Sequence, residues 1–335
     1  MNIKSLLIGS AAALAAVSGA QAADAIVAAE PEPMEYVRVC DAFGTGYFYI
    51  PGTETCLKIG GYVRFQVNVG EHAAYDNSNA TNPFNNSDWD AGTQAYLTFD
   101  AKSDTEYGTL TGYIALEADL DGPYAGVYVD EAYIQLGGFK AGNYYGPWDK
   151  GLNGETEDLN DDKIFNSISY TYEGGAFSAY VSLDELEFST TRPNGVGVTG
   201  LVTAALGGVS IDLLGSYDTE VEEGAIRALL SAELGPGTLQ VAGIWSSDPN
   251  AYYRTAEWTV AGSYSFKATE KLTITPAAQY WSDVGFIDGV DQWRVGLTVG
   301  YEITQGLAAL ATVNYTDNDL TDDSTTGFLR LQRSF

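Results

Sequence analysis

The stretch GPWDKGLNGETEDLNDDK, residues 146–163, sets six carboxylates, Asp149, Glu155, Glu157, Asp158, Asp161 and Asp162, against Lys150 and Lys163. Carboxylates at that density can move protons, bind a divalent cation, or set the field of a water-filled passage. Proton-transfer and nucleophilic devices of the Ser/His/acid kind need a positioned histidine. The chain has one, His72, in a polar connecting segment. The only cysteines, Cys40 and Cys56, lie close together in sequence and read as a disulfide rather than a catalytic thiol. GVGVTG (195–200) satisfies the dinucleotide pattern G-x-G-x-x-G. No strand leads into it and no helix follows, so it reads as a turn entering a strand. Residues 317–323 space their acids somewhat like a calcium loop, but the glycine and the closing glutamate are missing. These residues point away from an enzyme and call for no cofactor. Divalent cations at the acidic loops around Asp218, Glu220, Glu222 and Glu223, and around Asp317, Asp319, Asp322 and Asp323, are the one exception kept open.

Composition narrows the class. The 335-residue chain carries a net charge of −29, or −30 once Lys4 is removed with residues 1–22. Those residues have the layout of a secretory signal: a basic start, the apolar LLIGSAAALAAV and an A-x-A site at Ala20-Gln21-Ala22. Such acidity excludes nucleic acid as a partner, because phosphate binding needs clustered Lys and Arg. No later segment supplies the ~18 consecutive apolar residues of a membrane helix. With 38 Gly and 23 Tyr, the chain favours strands and tight turns.

The spacing predicts sixteen strands, from 59–69 through 326–335, behind an N-terminal segment. Within residues 23–58 of that segment, YFYI, the turn PGTE and TCLKI form a hairpin signature. Short connections such as Gly137-Gly138 and Gly207-Gly208 alternate with longer polar ones at 70–91, 121–126, 147–163, 185–196, 219–224, 247–254, 283–290 and 317–325. Tight turns at one rim and long loops at the other is the pattern of an outer-membrane barrel.

The faces agree. In GYVRFQVNVG (61–70), Val63, Phe65, Val67 and Val69 share one side and Tyr62, Arg64, Gln66 and Asn68 the other. Elsewhere Trp258, Val260, Tyr264 and Phe266, or Trp293, Val295, Leu297 and Tyr301, make aliphatic faces with aromatic ends, as at a lipid band with interfacial girdles. Arg64, Arg227, Arg294 and Arg330 all lie opposite the apolar face of their strands. An arginine at the bilayer midplane costs roughly 2–4 kcal/mol, so the polar face is the inner, hydrated one. Closure makes the first and last strands neighbours. That puts Arg64 and Arg330 together on the wall, opposite the loop acids, with a field across the passage between them. Trp281 is an inward aromatic that could belong to a sugar track.

The segment YVRVCDAFGTGYFYIPGTETCLKIGGYVR (36–64) resembles the N-terminal signature of the alphaproteobacterial porin family, and the ending GFLRLQRSF is similar to that family's terminal strand. The resemblance covers essentially the whole chain. It implies a sixteen-stranded antiparallel transmembrane β-barrel, a homotrimer, an inward-folded constriction loop at 147–163, and passive diffusion of small hydrophilic solutes and ions. It also implies that Phe335 is the aromatic read by the outer-membrane assembly machinery.

The sequence therefore divides into a signal peptide (1–22), a periplasmic segment with a stapled hairpin (23–58) and a barrel (59–335) set among outer-membrane lipid and lipopolysaccharide. The expected function is a weakly cation-selective diffusion channel. A sugar-specific channel, a barrel-shaped adhesin or anchor with a plugged lumen, and a soluble β-sandwich are the alternatives.

Overall fold

The computed structural model describes residues 38–70, 88–120, 126–159, 163–186 and 195–335. The signal, residues 23–37, His72, Asp161 and Asp162 lie outside them. Val39–Phe335 form one compact unit, which builds the fold.

A two-residue strand β1 (Phe48–Tyr49) precedes the sixteen strands of a closed antiparallel barrel. These are β2 (Cys56–Gly70), β3 (Trp89–Thr105), β4 (Gly108–Leu120), β5 (Gly126–Leu136), β6 (Phe139–Tyr145), β7 (Ile164–Glu173), β8 (Phe177–Leu186) and β9 (Gly195–Leu206). They continue with β10 (Val209–Asp218), β11 (Glu223–Leu234), β12 (Gly237–Ser246), β13 (Ala256–Lys267), β14 (Leu272–Val284), β15 (Gln292–Thr304), β16 (Leu307–Asn318) and β17 (Thr321–Ser334). Each strand pairs with the next, and β17 pairs with β2 from Thr326↔Gly70 to Ser334↔Tyr62. Closure leaves no strand edge in hydrocarbon, where an unpaired backbone group costs several kcal/mol. The ladder runs to the last residue: Phe335 N–H donates to the Gly61 carbonyl at 3.0 Å and Gly61 N–H to that of Phe335 at 3.1 Å. At Gly61 (φ 152°) a Cβ would run into the Tyr96 carbonyl of β3, so β2 packs against β3 at this point only with glycine.

The short-turn rim follows the sequence; Gly207, for example, turns at φ 68°, a conformation that costs other residues strain. The opposite rim differs at its last connection. The long loop expected at 317–325 is a two-residue link, because β17 begins at Thr321 and pairs back to Asn318. The Tyr315 hydroxyl donates to Asp323 across this extended hairpin at 2.6 Å. Asp317, Asp322 and Asp323 are thus strand residues, and Asp319 stands in the link.

Polarity is inverted as predicted. Val63, Phe65, Trp258, Val260, Val295 and Leu297 lie on the outside of the cylinder, each roughly 40–55 % exposed. Arg64, Arg227, Arg294 and Arg330 point inward. The inner face is not uniformly polar, however. Leu186, Leu214, Leu229, Ile244 and Ala261 face inward and are buried, packed against Trp148, Leu152, Leu159 and Tyr252. Part of the interior is dry because loops fill it.

The Cys40–Cys56 disulfide is present, with Cα atoms 5.9 Å apart. The hairpin's β1 pairs with the stretch of β2 beyond the reach of β17, matching Phe48 to Leu57 and Tyr49 to Cys56. β2 runs unbroken through residues 58 and 59, so the hairpin's second arm and the first barrel strand are one element. The buried Tyr47 donates its hydroxyl to Asp100 on the inner face at 2.5 Å, beneath the ammonium groups of Lys58 and Lys102.

Candidate functional site

The 146–163 connection leaves β6 at Gly146, whose N–H meets the Lys163 carbonyl at 3.0 Å. A single 3₁₀ turn, Pro147–Asp149, follows, with proline at its first position, where no donor is required. From there the chain runs along the inner wall. The Trp148 indole donates to Ser216 on β10 (2.8 Å), and Lys150 pairs with Asp212 of the same strand (2.5 Å). Asn153 N–H donates to Gln240 on β12 (2.6 Å), Asp158 N–H to Gln279 on β14 (2.6 Å), and Glu155 N–H to Thr298 on β15 (2.9 Å). Asn314 on β16 donates to the Glu155 carbonyl (3.1 Å), and Arg330 on β17 pairs with its carboxylate (2.8 Å). Side chains on alternate positions of six strands thus satisfy loop amides and carbonyls that would otherwise be buried unpaired.

Among the described loop acids, Glu155 and Glu157 hold the loop in place, whereas Asp158 is exposed. Glu157 accepts Leu152 N–H (2.8 Å) and Leu159 N–H (2.7 Å), one on each oxygen. Burial pushes its carboxyl above the ordinary carboxylate range, and those two amides pull it partly back. Glu155 is neutralised by Arg330. Asp149 and Asp158 are also engaged.

The arginines differ from one another. Arg64 donates to Gln332 (2.9 Å) over the Tyr62 ring, and Arg330 donates to Gln66 (2.6 Å) as well as to Glu155. Arg64 and Arg330 therefore share a neighbourhood on β2 and β17, as closure requires. Arg294 donates to Thr316 and to the Thr156 carbonyl of the loop. Arg227, 2 % exposed, lies beneath the loop instead of on an open wall. Trp281, the candidate for a sugar track, is fully enclosed with the Arg294 guanidinium over its ring, so it offers no face to a solute.

A second device was not foreseen. Asp184 on β8, 5 % exposed, accepts hydroxyls from Ser167 (2.7 Å), Thr199 (2.8 Å) and Tyr252 (2.8 Å). Thr199 in turn meets Ser216, the acceptor of Trp148. Tyr252 belongs to the 247–255 connection, whose Ala251 N–H is held by Asp218 (3.1 Å). The two loops are thereby tied to one wall network. Burial and the neighbouring Asp184 push the Tyr252 hydroxyl well above its usual range, so it stays a donor.

The remaining wall carries unforeseen carboxylates. Glu117 and Asp119 on β4, and Asp130 and Glu131 on β5, accept only neutral donors: Gln94, Tyr96, Tyr128, Tyr145 and the Tyr145 amide. Tyr62 and Tyr96 stack beside them at 5.3 Å, and Tyr113 and Tyr133 at 4.9 Å. The signal was in TGYIALEADL, where Tyr113, Glu117 and Asp119 share one face. The adjacent Asp130 and Glu131 were hidden because a register shift near Ala115 disturbs the alternation. Among the described residues, no three acids, histidines or cysteines converge as a metal site.

The Porin subfamily profile matches residues 24–329. The chain belongs to the porin family. A putative outer membrane protein of Sinorhizobium fredii, y4fJ, is 63 % identical over all of this chain and 99 % of its own. Outer membrane protein IIIA of Rhizobium leguminosarum is 48 % identical over 98 % and 93 %, and porin Omp2b of Brucella neotomae 36 % identical over the full length of both chains. Among solved structures, the DcaP channel of Acinetobacter baumannii superposes with a TM-score of 0.66 at 13 % identity (86 % of this chain, 99 % of that one). OmpT of Vibrio cholerae in its trimer form gives 0.64 at 12 % (84 % and 100 %). This porin is an outer-membrane protein, and the relatives that carry functional names are channel proteins rather than enzymes.

Proposed function

We propose that this porin is a general diffusion channel for small hydrophilic solutes and ions, weakly cation-selective, working as a homotrimer among outer-membrane lipid and lipopolysaccharide. The observation that carries the reading is the loop fastened along the inner faces of β10–β17 within a closed cylinder whose outer face is apolar. A loop in that position narrows the lumen and leaves a passage bounded by β2–β5. Permeating ions then meet Arg64 and Arg330 on one flank and Glu117, Asp119, Asp130 and Glu131 on the other. Four carboxylates without cationic partners favour cations there. These wall acids add to the field expected from sequence, in which the loop supplied the acids; Asp158 is exposed on that loop, and Asp161 and Asp162 lie outside the described residues. The homotrimer has its support in the trimeric form of OmpT, which shares the fold.

Reconstitution in a planar bilayer tests the reading. Stepwise ohmic conductance, with a reversal potential favouring K⁺ over Cl⁻ in a KCl gradient, is expected. Insertion without current would refute the channel, and conductance that one sugar blocks saturably would replace it with a solute-specific channel.

A further inference from the structure

Arg227 is the most deeply buried arginine of the inner wall, and no carboxylate makes an ion pair with it among the described residues. Its Nη1 donates to the Trp148 carbonyl at 2.8 Å and its Nη2 to the Pro147 carbonyl at 2.6 Å. The guanidinium carbon lies 5.3 Å from the Trp148 ring centre, and Nε has no partner. Burying a guanidinium without a paired anion is costly. A charge placed to steer ions would not be sealed behind a loop, so the position needs another explanation.

The contacts supply it. Pro147 and Trp148 open the loop, one residue past its neck at Gly146. Their carbonyls are adjacent, and a planar fork can serve both at once, whereas an ammonium is a point donor. Trp148 and, two residues on, Lys150 are also fastened to β10, the strand next to Arg227 on β11, by the Trp148–Ser216 and Lys150–Asp212 bonds. One spot on β10–β11 thus anchors the root of the loop, and the remaining contacts align the rest of it.

We infer that Arg227 is the positioning residue that clamps the 146–163 loop to the wall and so sets the width of the passage, rather than a charge that permeating ions meet. The inference rests on the reading that this loop narrows a channel.

The test compares wild type, R227A and R227K in planar bilayers. R227A raises single-channel conductance and open-channel noise and admits larger neutral polyethylene glycols, while the K⁺/Cl⁻ reversal potential stays at the wild-type value. R227K falls between, because it can hold one carbonyl at a time. Joining N153C to Q240C with a short thiol cross-linker in the R227A background returns conductance and noise toward wild type, since it refastens the loop where Asn153 meets Gln240. Wild-type conductance, noise and size limit in R227A would overturn the clamp. So would a variant whose only change is a reversal potential shifted toward cations, the signature of a charge facing the passage. If R227A does not fold, R227K decides, and wild-type behaviour in it overturns the two-carbonyl clamp. Absence of current from wild type would fail the channel reading itself, before any variant is compared.

Discussion

Phe65 and Asn68 sit three residues apart on β2 with opposite outlooks. Phe65 is 48 % exposed on the outer face between Val63 and Val67, across from Leu331 of β17. Asn68 faces inward, across from Asp90 of β3. Replacing each by arginine puts the same charge on the same strand, so the difference between the variants isolates the polarity of the two faces. Outside, near the bilayer midplane, arginine costs about 2–4 kcal/mol. At 1.4 kcal/mol per factor of ten, that is a loss of roughly thirty- to seven-hundred-fold in the folding equilibrium. Inside, the guanidinium stays hydrated beside an acidic neighbour, and the cost stays within about 0.5 kcal/mol, as for an ordinary surface change. F65A supplies the correction for the lost phenyl ring. The assay is urea-driven unfolding in phospholipid vesicles, with the folded fraction read from mobility in unboiled gels. If F65R, corrected by F65A, is as stable as N68R, the outer face is not in hydrocarbon and the inverted-polarity argument fails.

Two other outcomes follow from the inner wall and the loop. Neutralising the uncompensated wall acids together, as E117Q/D119N/D130N/E131Q, removes charges each worth about 0.5 kcal/mol to an ion a few Å away in ~0.1 M salt. The K⁺/Cl⁻ permeability ratio should drop several-fold, and an unchanged reversal potential would place the conducting path away from β4 and β5. Glu157 makes the loop sensitive to pH. Its raised carboxyl holds a proton more tightly in the fastened loop than in a released one, so closure strengthens as pH falls through the raised value and weakens as pH rises past it. Open-channel noise should therefore decrease on acidification from neutral pH in wild type and lose that dependence in E157Q; the same pH response in both would refute the assignment.

How much could be read beforehand varied by element. The outer face was legible because lipid imposes a period of two on every strand: Trp258, Val260 and Tyr264 announce it without knowledge of their neighbours. The inner face was not, because its environment changes around the barrel. Leu214, Leu229 and Ile244 look like exceptions in a strand-by-strand reading and are explained only by Trp148 and Tyr252 lying over them. The last long loop was misplaced because TDDSTT carries turn-rich composition, although its backbone pairs as strand.

The amino-acid order alone determined the class of molecule. Alternation, rim-sorted connections and inward arginines follow from local chemistry meeting one uniform solvent, the hydrocarbon, and the terminal seam at Phe335 follows from an even strand count. What each charge does was decided only by the tertiary structure. Arg227 and Arg330 obey the same inward rule, yet one is sealed under the loop on two carbonyls and the other pairs with Glu155 at the loop's far reach. The reason is physical: a strand fixes which way a side chain points, but the dielectric and partners it meets there are set by whichever distant segment folds over it.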